Sequence, residues 1–394
     1  MRHLFVTQDY GPDLGGMARR HVELCRRIAP PDTLVVSTVA SRAAPAFDRA
    51  ETYEIVRQPF AFADAKRFTN QLVWGRALAR RCRAGVDVIH LGNIRPCGYA
   101  VGVATRRVPI PYLVYVNGGD LLRERQKSAT SLVKRWSGRD IFQRAIGVVA
   151  NSAWTARLAS DVMQQLGVRR PPPVAPIDLG TDTAQFAPSR DTRSLRARLG
   201  IGDALMALCV ARLVPHKGQD TAVRAIAELG AAAQGMHLVL VGEGDDAPRL
   251  AALAESSGLR QRVHLTGALP DADVAEAYAT ADVYLGLSRV DSAINAEGFG
   301  ISFVEAAASG TPSVAGDSGG VRSAVRDGET GFVVPPTDVQ GVAAALARLI
   351  GDPALRAAMG VAGRRAVETH YNWDRVARET LDFTRQCLAT PSRP

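Results

Sequence analysis

Cysteine is scarce in this chain: Cys25, Cys82, Cys97, Cys209 and Cys387 are five in all, odd in number and scattered. No Cys-x-x-Cys pair occurs, which argues against a disulfide framework or a thiolate zinc site and fits a reducing cytosol. Long apolar runs are missing too. None approaches the roughly 18 residues of a membrane-crossing helix, and the apolar segment after Met1-Arg2-His3 reads as too short for a secretory leader. Aromatic residues make up 6% of the chain. No recognition module or aromatic stacking platform stands out, so nucleic acid is not an expected partner. Internal repeats, coiled-coil heptads and low-complexity tracts are lacking. What is left is an ordinary soluble composition, long enough at 394 residues for two domains with cores of their own.

Charge is unevenly placed. Residues 1–189 hold 27 Lys and Arg against 15 Asp and Glu, a net of +12, while 190–394 hold 21 against 24, a net of −3. Such asymmetry suits a first half that faces an anionic partner, either a membrane surface or a phosphorylated acceptor; an arginine-rich solvated face gives the same count. Trp74, Arg76, Arg80, Arg81 and Arg83 share one helical stretch, and Arg123, Arg125, Lys127, Lys134, Arg135, Trp136 and Arg139 occupy another. Cations interleaved with Trp can hold a helix at an anionic bilayer.

Both halves alternate strand-like and helix-like stretches, which argues for parallel sheets with helices on both faces. Strands are expected at 4–7, 33–39, 86–91, 112–116, 147–150 and 174–177, then at 205–210, 237–241, 263–265, 283–287, 313–315 and 332–334. A final amphipathic stretch, 373–388, contains no Gly or Pro. The expected organisation is a first α/β domain over 1–188, a second over 189–372, and a closing helix and tail over 373–394. Two such sheets present a cleft with ligands at the carboxyl ends of the strands.

The densest motif is Glu297-Gly298-Phe299-Gly300-Ile301-Ser302-Phe303-Val304-Glu305, followed by Gly310-Thr311-Pro312-Ser313 and Gly319-Gly320. Gly298 and Gly300 let the backbone approach a ligand. Ser302 is a candidate cap for the apolar helix that follows, whose free N–H groups suit a phosphate. Glu297 falls before that helix and Glu305 about one turn inside it, so they can reach different parts of one elongated ligand. A glycine-rich turn with two solvated glutamates fits the same letters. Upstream, Arg212 and Lys217 follow a strand and precede a helix, a placement that suits a diphosphate. Gly242 and Gly267 stand at two further strand ends.

In the first half, Gly15 and Gly16 open a helix after the first strand, either to present N–H groups or as a plain turn. Asn117 and Asp120 follow another strand; Asp120 could orient a substrate, act as a base, or satisfy turn donors. Asn151-Ser152 reads as a helix cap. Asp271-Ala272-Asp273 has the form of a metal-binding pair, but helix-cap and first-turn roles explain both acids better, so no metal and no other cofactor is expected. Arg289 could touch phosphate or be a solvated loop residue. His3, His21, His90 and His264 lack partners at ligand spacing and read as structural or exposed.

The ordered set of Arg212 and Lys217 in Ala-Arg-Leu-Val-Pro-His-Lys-Gly, Glu297 and Glu305, Gly310-Thr311-Pro312 and Gly319-Gly320 resembles the retaining glycosyltransferases of family 4. Within that family it is similar to enzymes of the phosphatidylinositol mannosyltransferase type. The resemblance implies the α/β GT-B fold: two Rossmann-like doubly wound domains facing across a cleft, with the C-terminal helix crossing back to the first. It implies a hexose moved from a nucleotide-diphosphate sugar, GDP-mannose or a UDP-sugar, to a hydroxyl of a glycolipid, lipid-linked or polysaccharide acceptor.

By the same resemblance, donor contacts fall to Gly15, Gly16, Arg212, Lys217, Gly242, Gly267, Glu297, Gly298, Phe299, Gly300, Ile301 and Glu305. Glu297 meets the sugar and Glu305 the ribose; acceptor contacts fall to Gly16, Asn117, Asp120 and Asn151. The residues expected to carry the reaction are Glu297, Arg212, Lys217, Asn117 and Asp120. Many relatives have a histidine where Asn117 stands, and asparagine cannot titrate. The implied place is the cytoplasm, peripheral on the inner face of the cell membrane. A sugar-nucleotide epimerase of the same fold, or a non-catalytic sugar-nucleotide-binding subunit, are the alternatives.

Overall fold

Short runs rich in Val, Leu and Ile become the fully buried strands of two parallel sheets. A computed structural model describes residues 1–12, 15–28, 30, 32–41, 43–290 and 295–390. Asp13 and Leu14 of the first glycine loop, Asp291 and Ser292 of the loop ahead of Glu297, and the tail from 391 lie outside the described residues.

The chain runs β1 (Arg2–Val6), α1 (Gly16–Ile28), β2 (Thr33–Ala40), α2 (Ala44–Ala50), β3 (Glu54–Ala61), α3 (Phe68–Gly85), β4 (Val88–Leu91), α4 (Cys97–Thr105), β5 (Tyr112–Val116), α5 (Gly118–Thr130), α6 (Leu132–Gln143), β6 (Gly147–Ala150), α7 (Ala153–Leu166) and β7 (Val174–Pro176). It continues through α8 (Ser194–Arg198), β8 (Met206–Val210), α9 (Gln219–Glu228), β9 (His237–Val241), α10 (Ala247–Ser256), β10 (Val263–Gly267), α11 (Asp271–Thr280), β11 (Val283–Gly286), α12 (Ile301–Ala308), β12 (Ser313–Gly316), β13 (Gly331–Val334), α13 (Val339–Gly351), α14 (Pro353–Thr369) and α15 (Trp373–Ala389).

Two units result: Met1–Leu179 with α15, and Gly180–Asn372. The change falls between Leu179 and Gly180, where the sequence suggests 188 and 189. The first sheet has the order β3-β2-β1-β4-β5-β6-β7 and the second β10-β9-β8-β11-β12-β13. Neighbouring strands in both run parallel. All residues of β4, β5, β6 and β12 are buried, as a parallel sheet covered on both faces requires. Strand order reverses between β1 and β4 in one unit and between β8 and β11 in the other. Those are the points where the loops after two adjacent strands diverge and leave room for a ligand.

Several elements differ from expectation. β3 is absent from the sequence reading because Pro59 and its charges break the pattern; an edge strand, paired only with β2, tolerates both. The second basic stretch is not one helix but two: α5 starts at Gly118-Gly119, where Leu121 and Leu122 bury its inner face, and Ser131 separates it from α6. After Gly319-Gly320 the chain forms only a three-residue 3-10 turn, Val321–Ser323.

Trp74 does not share the basic face of its helix. It is buried, and its Nε1 donates to Ser37 Oγ at 2.8 Å. The histidines are not alone. His3 and His90 share a hydrogen bond of 2.8 Å across β1 and β4, His90 Nδ1 lies 2.8 Å from the Tyr115 hydroxyl, and His237 and His264 form a second 2.8 Å pair. α15 packs on α1 and β6. Arg375 of that helix donates to the Asp178 carbonyl at 2.5 Å.

Candidate functional site

In the second unit the loops after β8 and β11 meet at the strand-order reversal. The first carries Arg212 and Lys217, the second Ser288, Arg289 and Glu297. Lys217 Nζ donates to Glu297 Oε2 at 2.8 Å, with the two side chains 23% and 20% exposed. Ser288 Oγ stands 3.5 Å from the same oxygen. Burial alone would raise the Glu297 carboxyl, but the Lys217 ammonium and the Ser288 hydroxyl outweigh it and hold it below its ordinary value. Arg212 is exposed and has no ion pair among the described residues. A paired lysine, an unpaired arginine and the start of α9 therefore border one spot.

The same two loops are stitched a second time. Arg289 Nη1 lies 3.0 Å from Asp220 Oδ1, its Nη2 donates to Asp220 Oδ2 at 3.1 Å, and its backbone N–H donates to the His216 carbonyl at 2.8 Å. Arg289 is thus held by a carboxylate on α9. A Cβ on Gly218 would sit 2.0 Å from the Leu287 carbonyl oxygen, so the loops pass in contact.

Glu297 is positioned from below by Gly319-Gly320. The Gly320 N–H donates to the Glu297 carbonyl at 2.8 Å, and a Cβ on Gly319, whose φ is +60°, would stand 2.1 Å from that oxygen. α12 begins at Ile301 with Gly300 at its cap position, φ +96°, so Ser302 lies inside the helix and does not cap it. Gly298, Phe299 and Gly300 form the approach to that helix start, and Phe299 is buried. Glu305, one turn in, is buried and accepts from the Tyr278 hydroxyl at 3.0 Å. Burial raises the Tyr284 phenol, and the charges of Glu305 and Glu297 both add to the rise.

Gly242 and Gly267 come together as an isolated bridge, with the Gly242 N–H donating to the Gly267 carbonyl at 2.9 Å. A Cβ on Gly242 would lie 2.1 Å from the Ala211 carbonyl, next to Arg212. Asp271 and Asp273 occupy the first turn of α11 behind Pro270, and Asp273 is paired with Arg198 at 2.8 Å.

The first unit has its own cluster at the reversal between β1 and β4. Asn93 Oδ1 accepts from Thr7 Oγ1 at 2.8 Å and from the Gln8 N–H at 3.1 Å, while Asn93 Nδ2 donates to Asp9 Oδ2 at 2.7 Å. Burial, aided by the nearby Asp120 charge, raises the Asp9 carboxyl. Asp120 opens α5 and accepts from Arg123 at 2.7 Å through Oδ1; its buried Oδ2 has no hydrogen-bond partner among the described residues. The same holds for Asn117 Nδ2 and Asn151 Oδ1. Asn117 is the residue before α5 but its side chain does not cap the helix. Ser152 takes the capping role at α7, accepting from the Thr155 N–H at 3.0 Å, which leaves Asn151 to other work.

Gly15 and Gly16 lie at the start of α1, where an added Cβ would meet nothing within 4 Å. Among the described residues no close approach demands glycine there. One turn further, Arg20 is buried with its guanidinium 5.0 Å from the Tyr115 ring centre and none of its nitrogens hydrogen-bonded among the described residues.

Asp9, Asn93, Asp220, Tyr278 and Ser288 escape the sequence reading. The first, second and fifth had a usable signal: each is a polar residue just beyond the carboxyl end of a parallel strand. Asp220 and Tyr278 had none.

Known proteins give the following likenesses. Residues 14–184 match the family described as Glycosyltransferase Family 4, and 191–366 match Glycosyl transferases group 1. A GDP-mannose-dependent alpha-(1-6)-phosphatidylinositol monomannoside mannosyltransferase of Mycobacterium tuberculosis is 31% identical over 397 residues, 98% of each chain. The protein of the same description from Mycolicibacterium smegmatis is 41% identical over 196 residues, 49% of this chain and 51% of that one, so there the match spans only about half of the relative. Sucrose-phosphate synthase from Thermosynechococcus elongatus shares the fold with a TM-score of 0.78 at 20% identity, over 99% of this chain and 100% of its own.

Proposed function

The chain belongs to the family 4 glycosyltransferases, and on that premise we propose that it moves mannose from GDP-mannose to a hydroxyl of a phosphatidylinositol-linked mannoside, with retention and without a metal. The activity of the Mycobacterium tuberculosis relative supports the donor and acceptor classes. The observation that carries the reading is the Lys217–Glu297 contact of 2.8 Å at the strand-order reversal.

A diphosphate entering beside Arg212 and the start of α9 competes with Glu297 for the Lys217 ammonium. As the lysine turns to the phosphate, the Glu297 carboxylate is released to accept from hydroxyls of the sugar, and Glu305 accepts from the ribose. Two cations then stabilise the charge that builds on the departing GDP. No protein nucleophile is needed when the departing phosphate takes the acceptor proton on the same face of the sugar. Metal-free chemistry is supported by Asp273, which is committed to Arg198. The first unit is assigned the acceptor: Asn117, Asp120 and Asn151 have buried polar atoms still to satisfy, and an added Cβ at Gly16 would meet none of the described residues within 4 Å. No helix among the described residues is long and apolar enough to cross a membrane. Enzyme and glycolipid are therefore proposed to meet at the cytoplasmic surface of an anionic membrane.

The test is nucleotide release from a panel of GDP- and UDP-sugars, with and without a phosphatidylinositol mannoside, with the anomeric configuration of the product read by NMR and a chelator added in parallel. Release only from GDP-mannose with acceptor, a retained product and indifference to chelator are expected. An inverted product or a chelator-sensitive rate overturns the mechanism. Epimerised donor without acceptor, or binding without release, overturns the transferase reading.

A further inference from the structure

We infer that Glu243 reads the base of the donor: its carboxylate accepts from the N1–H and the exocyclic amino group of guanine and turns uracil away. That role rests on the proposed donor, GDP-mannose. The loop after β9, Gly242-Glu243-Gly244, is wedged between two neighbours. On one side the N–H of Leu213, the residue after Arg212, donates to the Glu243 carbonyl at 2.9 Å. A Cβ on Gly244 would stand 2.1 Å from the Leu213 carbonyl oxygen. On the other side Gly242 is bridged to Gly267. The backbone of Glu243 is thereby fixed, while its side chain is exposed and its carboxylate has no ion pair or hydrogen bond among the described residues.

Gly267 supplies the floor. Its φ is +70°, and a Cβ built there would meet one described atom within 4 Å outside its chain neighbours: Glu243 Oε1, at 4.0 Å. The space over Gly267 is otherwise open, which suits a flat ring lying on backbone with a carboxylate at its edge. The place also fits the rest of a nucleotide. The Gly242 backbone lies against Ala211, next to Arg212, and β9 and β10 stand one and two strand spacings from β8, about 5 and 10 Å. α11 begins just beyond Gly267 and carries Tyr278, which bonds Glu305. Other acids at this end of the sheet are committed: Asp220 to Arg289, Asp246 to Arg249 and Asp273 to Arg198. Asp245 and Asp271 are exposed, but neither comes within 4 Å of that Cβ. Chemistry then selects the base. A carboxylate only accepts, through two oxygens, and the N1–H and amino group of guanine are a matching pair of donors. Uracil offers one N–H between two carbonyl oxygens, which the same charge repels.

The test is calorimetric titration of the full chain with GDP, UDP and inosine diphosphate, which keeps the N1–H and lacks the amino group. Wild type should bind GDP most tightly, inosine diphosphate next and UDP least. Glu243→Ala should weaken GDP roughly 10–100-fold, the loss of one bidentate base contact, and remove most of its advantage over inosine diphosphate. Glu243→Gln, with one acceptor left, should fall between. UDP affinity and the melting temperature should stay as in wild type, which shows that the variants fold. Asp245→Asn and Asp271→Asn should bind GDP as wild type does. GDP affinity within about twofold of wild type in Glu243→Ala overturns the role given to Glu243. So does an equal loss for GDP and UDP, which traces to the shared diphosphate through Arg212. Selective loss of GDP in Asp271→Asn but not in Glu243→Ala assigns the base to α11 and overturns it as well. A wild type that prefers UDP removes the proposed donor and the role of Glu243 together. GDP preferred equally by wild type and Glu243→Ala removes that role alone.

Discussion

Removing either partner of the Lys217–Glu297 pair should cost both stability and turnover, and removing both should cost less than the sum. At 2.8 Å and an effective dielectric of about 20, the gross attraction is about 6 kcal/mol. The side chains are 23% and 20% exposed, so solvation offsets most of it, and a net of roughly 1.5–3 kcal/mol is reasonable for a charge-assisted hydrogen bond. Lys217→Met leaves the carboxylate without its counter-ion and should lower the melting temperature of the second unit by roughly 4–8 °C. Glu297→Gln keeps an acceptor for the lysine and should cost less.

In Lys217→Met/Glu297→Gln the stranded charge is gone, so about 2 kcal/mol of coupling should appear in the double-mutant cycle. Turnover should fall by one or more decades in each single variant, and in the double by much less than their product. Because the folded Glu297 carboxyl is held below its unfolded value, the stability it contributes is present above ordinary carboxylate pH and is lost as pH falls through the folded value. The gap between wild type and Lys217→Met should therefore close in acid. Thermal melts across pH and a nucleotide-release assay read all of this. Additivity within about 0.5 kcal/mol, together with near-native turnover in the single variants, would refute the reasoning.

Gly319→Ala forces a Cβ to within 2.1 Å of the Glu297 carbonyl at a φ of +60°; a cost of roughly 1–3 kcal/mol and a tenfold or greater loss of turnover are expected in melts and kinetics. Asp220→Asn weakens the hold on Arg289 and so on the loop carrying Glu297. It should raise the donor KM and lower kcat/KM while moving the melting temperature little, as steady-state kinetics will show. Asp9 has a folded value above its unfolded one, so protonation stabilises the fold below the ordinary carboxyl range and that stability is lost as pH rises through the folded value. Asp9→Asn should accordingly raise the melting temperature near neutral pH and make no difference in acid. Burial lowers His3, His21 and His90, with His21 at about 3, so the first unit should lose stability as pH falls below about 6.5; His90→Gln should flatten that slope in a melting series.

The second sheet was legible strand by strand because each of its strands is an apolar run closed by Gly, Pro or charge. The first sheet was less so. β3 is half exposed at an edge and includes Pro59, so no buried pattern marks it. α5 opens on two glycines, which local propensity assigns to a turn until the buried Leu121 and Leu122 are known. Trp74 was misplaced for a simple reason. Neighbouring arginines on the same helix make it look like part of a basic face, and only the Ser37 hydroxyl on β2 shows that it points inward. Site residues fixed by local glycine-rich turns could be named beforehand. Those fixed by tertiary pairing, Asp220 above all, could not.

The reversal of strand order explains why each site lies where it does. Lys217 and Glu297 are 80 residues apart in sequence, and Thr7 and Asn93 are 86 apart. In each sheet a crossover makes the carboxyl ends of two distant strands neighbours, and the loops beyond them can touch only there. What differs is the chemistry placed at the junction. The second unit puts a cation, an anion and two helix starts at its reversal, a set suited to a diphosphate and the hydroxyls beside it. The first puts Asn93, Asp9 and the unsatisfied atoms of Asn117 and Asp120 there, a set suited to neutral hydroxyl groups. Asn117 cannot titrate, and the carboxyl raised by burial is Asp9. Any proton dependence of acceptor binding should therefore follow a carboxyl rather than an imidazole, and Asp9→Asn should remove it from the pH profile of kcat/KM for the acceptor. A profile for the acceptor unchanged by that substitution would assign the hydroxyl contacts to Asn117 and Asp120 without Asp9.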